Sequence, residues 1–176
     1  RALWSIEEGR LAHFVEQRND SVAVEGEIVD QTGRVVGRHQ GLHHFTVGQR
    51  GGLGVALGKR MYVKRLDKVN NCVEIAPRPG VLSKMCLVRD LHWIHAESDE
   101  PMRCLVRPRY GSQGAWAMIA PQGDGFAQVQ FEEPQFALAP GQAAVFYDDT
   151  EVLGGGWIDL VPEAEETVSK INVSSI

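Results

Sequence analysis

Cysteine is scarce: 176 residues hold three, Cys72, Cys86 and Cys104, with no CxxC pair among them. An odd number without paired spacing excludes a disulfide framework and a thiolate zinc cage. Each lies in an apolar, strand-like run (Cys72-Val-Glu-Ile, Met85-Cys-Leu-Val, Arg103-Cys-Leu-Val), which reads as a reduced core thiol of a cytoplasmic protein. No apolar run is long enough to span a membrane, and no signal-peptide pattern opens the chain. Also missing are a Gly-x-Ser-x-Gly nucleophile, a nucleotide-binding loop and a paired-carboxylate motif, so no residue reads as catalytic and no cofactor is expected on this stretch. Gly154-Gly-Gly156 lacks the Lys and Ser or Thr of a phosphate loop and opens no helix. A bulge or a close backbone approach in a strand explains it better.

A more telling absence is local. From Gln31 to Arg65 there is no Asp or Glu, while Arg34, Arg38, Arg50, Lys59, Arg60, Lys64 and Arg65 all fall there. The formal net charge of −5 therefore hides a strongly cationic segment. An uneven distribution of this kind sets a local field that favours polyanions, whatever the total charge. A solvated basic face without a partner is the other reading.

Inside that segment lies Gly37-Arg-His-Gln-Gly-Leu-His-His-Phe-Thr-Val-Gly-Gln-Arg-Gly-Gly-Leu-Gly54. Its glycines weaken a helix and its apolar residues are too sparse for a stripe. Glycine lets backbone turn tightly or lie close to another group, and Gln and Arg present planar hydrogen-bonding groups. The run is either a ligand-holding loop or a plain glycine-rich connection between strands. His39, His43 and His44 have no Cys or carboxylate near them in sequence to complete a metal shell, so no metal is expected.

Taken in order, the chain opens with a helix expected over Ser5 to Gln17, capped by Ser5 and with Glu7 and Glu8 in its first turn. Beyond Asp20 the character is β. Glu27 to Asp30 and Arg34 to Val36 read as a hairpin turning at Gly33, and Arg60 to Arg65 with Cys72 to Ala76 as a second. Pro77-Arg-Pro-Gly80 is the clearest boundary. Strands are then expected at Met85–Val88, Leu91–His95, Met102–Val106, Ala115–Ile119, Phe126–Phe131, Ala143–Tyr147 and Val152–Ile158. Turn residues punctuate them, as in a closed or nearly closed barrel. The expected organisation is a helical lead-in over 1–20, a β-rich domain over 21–80, a barrel over 81–162 and an acidic, Ser-rich tail over 163–176.

Several of these pieces together resemble the tRNA-specific 2-thiouridylase family. His39-Gln-Gly with Thr46-Val-Gly-Gln-Arg-Gly-Gly-Leu-Gly54 is similar to its loop signature. In the same order follow Tyr62-Val, Asn70-Asn71, Leu91-His-Trp93, Met102-Arg-Cys, Arg107-Pro-Arg-Tyr110, Pro140-Gly-Gln-Ala-Ala-Val-Phe-Tyr147 and Leu153-Gly-Gly-Gly156. The likeness runs from about Gly26 to Ile158.

The resemblance implies a mainly β fold: a small SH3-like central domain, then an elongation-factor-like barrel. It implies tRNA as partner, with contacts carried over to Arg109, Tyr110 and Gln142 and expected at His39, Gln49 and Arg50. Full-length members adenylate the wobble uridine with ATP and take sulfur from a persulfide donor protein through a domain with a Ser-Gly-Gly-x-Asp-Ser loop, which this sequence does not contain. The family's second catalytic cysteine is expected just before the first helix, where the chain reads Arg1-Ala-Leu-Trp-Ser-Ile. Either truncation or divergence accounts for that. The three cysteines present do not match catalytic positions, and Gly51 stands where the family usually has Lys. The chain alone is expected to be inactive and to hold tRNA for an absent catalytic domain. A protein-interaction barrel of a tRNA-modification or translation complex, docking through Trp116 and Phe136, is the competing expectation.

Overall fold

A computed structural model describes residues 24–94, 99–108 and 113–162. The helix expected over Ser5–Gln17, His95, Arg109, Tyr110 and the tail lie outside the described residues. The fold is mainly β, as the sequence led one to expect, and divides into two compact units between Val81 and Leu82.

In the first unit β1 (Gly26–Val29) and β2 (Val35–His39) form an antiparallel hairpin. Asp30 closes it by accepting hydrogen bonds from Thr32 N, Thr32 Oγ1 and Arg34 N at 2.9, 2.6 and 3.2 Å. A second hairpin joins β3 (Tyr62–Asp67) to β4 (Cys72–Ala76). Its turn is closed the same way, with Asp67 Oδ1 accepting from Val69 N and Asn70 N, both at 3.0 Å. Such carboxylate-to-backbone bonds are a local alternative to the ladder and mark turns. Parallel pairing of β1 with β4 makes one sheet of order β2-β1-β4-β3. Its core is Ile28, Met61, Val63, Val73 and Ile75, and the connection between β2 and β3 adds buried Leu53, with Leu42, Phe45, Val55 and Leu57 packed alongside. The glycine-rich stretch is thus held to the sheet by its own apolar anchors.

A short 3-10 turn, Arg78–Val81, ends this unit. The second unit is a closed antiparallel barrel of order β10-β5-β8-β7-β6-β9. The strands are β5 (Leu82–Trp93), β6 (Met102–Arg107), β7 (Ala115–Gly123), β8 (Phe126–Phe136), β9 (Ala143–Asp148) and β10 (Glu151–Leu160). Alternate residues face inward: Cys86 and Val88, Cys104 and Val106, Ala117 and Ile119, Val129 and Phe131, Ala144 and Phe146, all at most 2% exposed. Mixed small and large side chains fill a barrel this narrow.

One expectation is corrected. Met85–Val88 and Leu91–His95 are not separate strands; Leu82–Trp93 is continuous. Residues 82–88 pair with β8, and residues from 87 onward pair with β10. Between them Asp90 takes a φ of 51° and the Leu91 N–H donates to Gly125 O at 2.8 Å. The Arg-Asp step that reads as a turn in sequence is a bend inside a strand, which barrel closure requires. The glycine triplet behaves as expected. A Cβ on Gly154, Gly155 or Gly156 would lie within 2.5 Å of the carbonyl oxygen of His92, Ala144 or Arg89, respectively.

Candidate nucleic-acid interface

The cationic stretch is organised by His39, which is 4% exposed at the end of β2. Its Nδ1 accepts from the Gly41 N–H at 3.0 Å, so its proton sits on Nε2, which donates to Asn71 O at 3.2 Å. Its ring meets Phe45 edge-on at 5.6 Å. One imidazole therefore ties the start of the loop to the turn before β4. Gly26 makes room for it, since a Cβ there would lie 2.0 Å from Asn71 O and 2.6 Å from Nε2. Asn71, itself at φ 50°, donates from Nδ2 to Glu25 O at 2.9 Å.

Gln49 braces the middle of the loop. Its Oε1 accepts from Thr46 N and its Nε2 donates to Gly51 O, both at 2.9 Å. Its backbone is paired with β3: Gly48 N donates to Val63 O at 2.8 Å, and Val63 N to Gln49 O at 2.9 Å. His39 and Gln49, both expected to touch tRNA, have their polar atoms engaged inside the unit. Arg50, next to the Gln49 brace, is exposed.

The seven cations divide into two sets. Glu74, 8% exposed, takes Lys64 Nζ at 2.8 Å on Oε1 and Arg65 Nε at 3.2 Å on Oε2. Arg34 lies in the field of Asp30, whose carboxyl is held below its ordinary range chiefly by the Thr32 hydroxyl. Arg38, Arg50, Lys59 and Arg60 are exposed, and their side chains make no hydrogen bond or ion pair with the described residues, although Arg38 stands opposite Glu27 in the β1–β2 pairing. These four are available to an anion. The Glu74 clamp could not be found in a linear charge count, because Glu74 stands outside the acid-free window and reaches it only through the β3–β4 pairing.

In the barrel, Gln142 sits in the turn before β9. Gly141 N donates to Ile158 O and Ile158 N to Gln142 O, both at 2.7 Å, fixing the turn on β10. The Gln142 Oε1 is buried without a hydrogen-bond partner among the described residues. Arg107 Nε is likewise buried without a partner among those residues, with the guanidinium 4.5 Å above the Tyr147 ring. Arg107 ends β6 and opens the Arg107-Pro-Arg-Tyr110 motif, within which only Arg109 and Tyr110 were expected to contact tRNA. Trp116 is 43% exposed, whereas Phe136 is partly buried at the end of β8.

The thiols do not join either site. Burial pushes Cys86 up to about 12 and Cys104 up to about 11, and burial together with Asp67 raises Cys72. Cys86 and Cys104 are core thiols as expected, and an enclosed, neutral thiol is a weak nucleophile, whereas Cys72 is not a core residue but only partly buried on β4. Among the described residues no group of three or more His, Cys, Asp or Glu side chains is placed to hold a metal ion, and no helix is long and apolar enough to cross a membrane.

Residues 12–77 match a family model described as a tRNA methyl transferase PRC-barrel domain, and residues 83–158 one described as an aminomethyltransferase beta-barrel domain. Curated relatives described as tRNA-specific 2-thiouridylase MnmA cover most of the chain. The protein from Synechococcus sp. is 41% identical over 159 residues, 90% of this chain and 43% of its own length. That from Acetivibrio thermocellus is 43% identical over 154 residues, 87% of this chain and 43% of the relative. That from Synechocystis sp. is 46% identical over 143 residues, 81% and 39% respectively. The chain thus spans about two fifths of the length of these relatives.

Proposed function

The chain belongs to the tRNA-specific 2-thiouridylase family, and from that premise we propose that it is a tRNA-holding part of such a protein. The observation that carries this is the set of four exposed cations, Arg38, Arg50, Lys59 and Arg60, around a loop braced from within by His39 and Gln49. Phosphate contacts of this kind fix position and orientation without reading sequence, which suits a surface that presents RNA to chemistry done elsewhere. RNA helices are held mainly through shape and backbone. His39 and Gln49 serve in this reading as braces rather than as contacts, and Arg50 as a contact.

In the barrel, Arg109, Tyr110 and Gln142 take the tRNA-contacting roles that the family resemblance assigns them. Thiolation of the wobble uridine, its ATP and its persulfide donor protein belong in this proposal to the whole protein, in the cytoplasm, and not to these residues. A protein-docking barrel is the competing reading, favoured by the exposed Trp116.

Titration of the chain with a tRNA transcript across a salt series tests this. Arg109→Ala is expected to weaken binding and flatten the log K against log salt slope by roughly 0.7 to 0.9, one phosphate's worth of counterion release. Gln142→Ala removes neutral hydrogen bonds and is expected to weaken binding at unchanged slope. Lys170→Ala serves as the control. Parent-like affinity and slope for both Arg109→Ala and Arg50→Ala would favour the protein-docking reading.

A further inference from the structure

The outer face of β6 carries an arrangement that neither the motifs nor the loop explains. Cys104 and Val106 point inward, so Arg103, Leu105 and Arg107 point outward. Leu105 stands opposite Trp116 on β7 and opposite Tyr147 on β9, which sets the two aromatics in one row across three strands. Arg103 lies 4.2 Å above the Trp116 ring and Arg107 4.5 Å above the Tyr147 ring. The strip therefore runs guanidinium, indole, leucine, phenol, guanidinium. Met118, opposite Arg103, extends its apolar part and is 42% exposed.

The two ends differ. Arg103 is neutralised by Glu132 on β8, its Nε donating to Oε1 at 2.6 Å. Among the described residues Arg107 has no such acid, and its buried Nε has no acceptor. Arg107 is half-buried and its charge is balanced by no acid among the described residues, so the rest of its fork is left for an oxyanion. Stacking on Tyr147 holds that fork flat. At the other end Arg103 covers one side of the Trp116 ring, which remains 43% exposed. Exposed aromatic rings beside arginines are the means by which unpaired bases are held, because every base offers a flat face and a flanking phosphate.

We propose that this strip is a second RNA contact, taking an unpaired segment of the bound RNA with a phosphate on Arg107 and a base or ribose on Trp116, Leu105 and Met118. It rests on the reading of the chain as tRNA-binding but involves none of the residues assigned there. A peptide partner is the alternative occupant, and the test separates the two.

The experiment is tRNA binding by the full chain across a salt series, with single-stranded oligouridylate and an RNA duplex as further probes. Trp116→Ala is expected to lower tRNA and oligouridylate affinity about tenfold at unchanged salt slope, as for loss of one stacked base, while duplex binding stays the same. Trp116→Phe restores most of the loss. Arg107→Ala lowers affinity and flattens the slope by roughly 0.7; Arg107→Lys keeps the slope. Ultraviolet crosslinking of tRNA to the parent places a crosslink on the peptide containing Trp116. This last readout does not depend on any variant folding. If Arg50→Ala weakens binding while Trp116→Ala and Arg107→Ala do not, and no crosslink reaches β7, the strip is not an RNA contact and the tRNA-holding reading stands. If the parent binds no tRNA, both fail together.

Discussion

In the barrel every strand has a neighbour on each side, and the backbone ladder alone closes the structure. In the first unit, among the described residues, the sheet ends at β2 and β3, and the backbone of the long connection between them hydrogen-bonds to a strand only at Gly48 and Gln49. What the ladder does for the barrel, side chains do for this loop: His39 at its base, Gln49 at its middle, Leu53 beneath it. The contrast shows where each unit is vulnerable. A barrel fails when its interior is hollowed. A braced loop fails when one hydrogen-bonding side chain is lost, even though nothing is removed from the core.

The largest effect that sharpens this contrast is a cavity in the barrel. Phe146 is fully buried, and Phe146→Ala is expected to destabilise the barrel by about 3–5 kcal/mol. Hydrogen exchange read residue by residue should show barrel amides losing protection while Val63, Val73 and Ile75 keep theirs. Equal loss in both units would break the comparison.

Next comes His39→Ala. It leaves the Gly41 N–H and Asn71 O without their partner, at a cost of about 1–3 kcal/mol for each buried group left unsatisfied. The expected outcome is faster exchange at Gly41 and weaker tRNA binding, with barrel unfolding unchanged. Retained exchange protection at Gly41 would show that the loop does not depend on the imidazole.

Charge changes should act on binding more than on folding. Glu74→Gln weakens the clamp on Lys64 and Arg65 and is expected to steepen the salt dependence of tRNA binding, by roughly 0.7 to 0.9 for each phosphate gained. Gly51→Lys is expected to act in the same direction, tightening binding a few-fold. A Cβ at Gly51 meets nothing within 4 Å, so the side chain has room. A flatter slope for either variant would contradict the assignment of this face to phosphates.

The smallest effects are in pH. Asp30 and Asp67 are lowered by the hydrogen bonds of their turns, chiefly from the Thr32 hydroxyl and the Asn70 N–H. A depressed carboxyl contributes stability that is present above its ordinary value of 3.8 and is lost as pH falls through the lower folded value. Both hairpin turns of the first unit should therefore loosen in acid below that point. Cys86 and Cys104 act at the opposite end. Their raised values give stability that is full below 9.0 and is lost as pH climbs towards about 12 and about 11. Amide signals from the two turns at low pH and barrel unfolding at high pH would check each half.

The strand pattern was legible because apolar runs and turn residues are local. Two things were not. The Asp90 bend reads as a strand end in sequence, since only closure around the barrel makes the chain continue through it. The roles within the loop were also hidden. Motif reading gathers His39, Gln49 and Arg50 together, but burial of His39 and the internal hydrogen bonds of Gln49 separate the braces from the exposed cation, and Glu74 withdraws Lys64 and Arg65 by pairing across strands.

The most direct measurement is the salt dependence of tRNA affinity for the parent beside a variant in which Arg38, Arg50, Lys59 and Arg60 are all alanine. The expected result is a steep slope for the parent and a loss of roughly 0.7 to 0.9 for each of the four cations that meets a phosphate, with the fold unchanged by circular dichroism. An unchanged slope in a folded variant would contradict the claim that this loop holds tRNA by its phosphates.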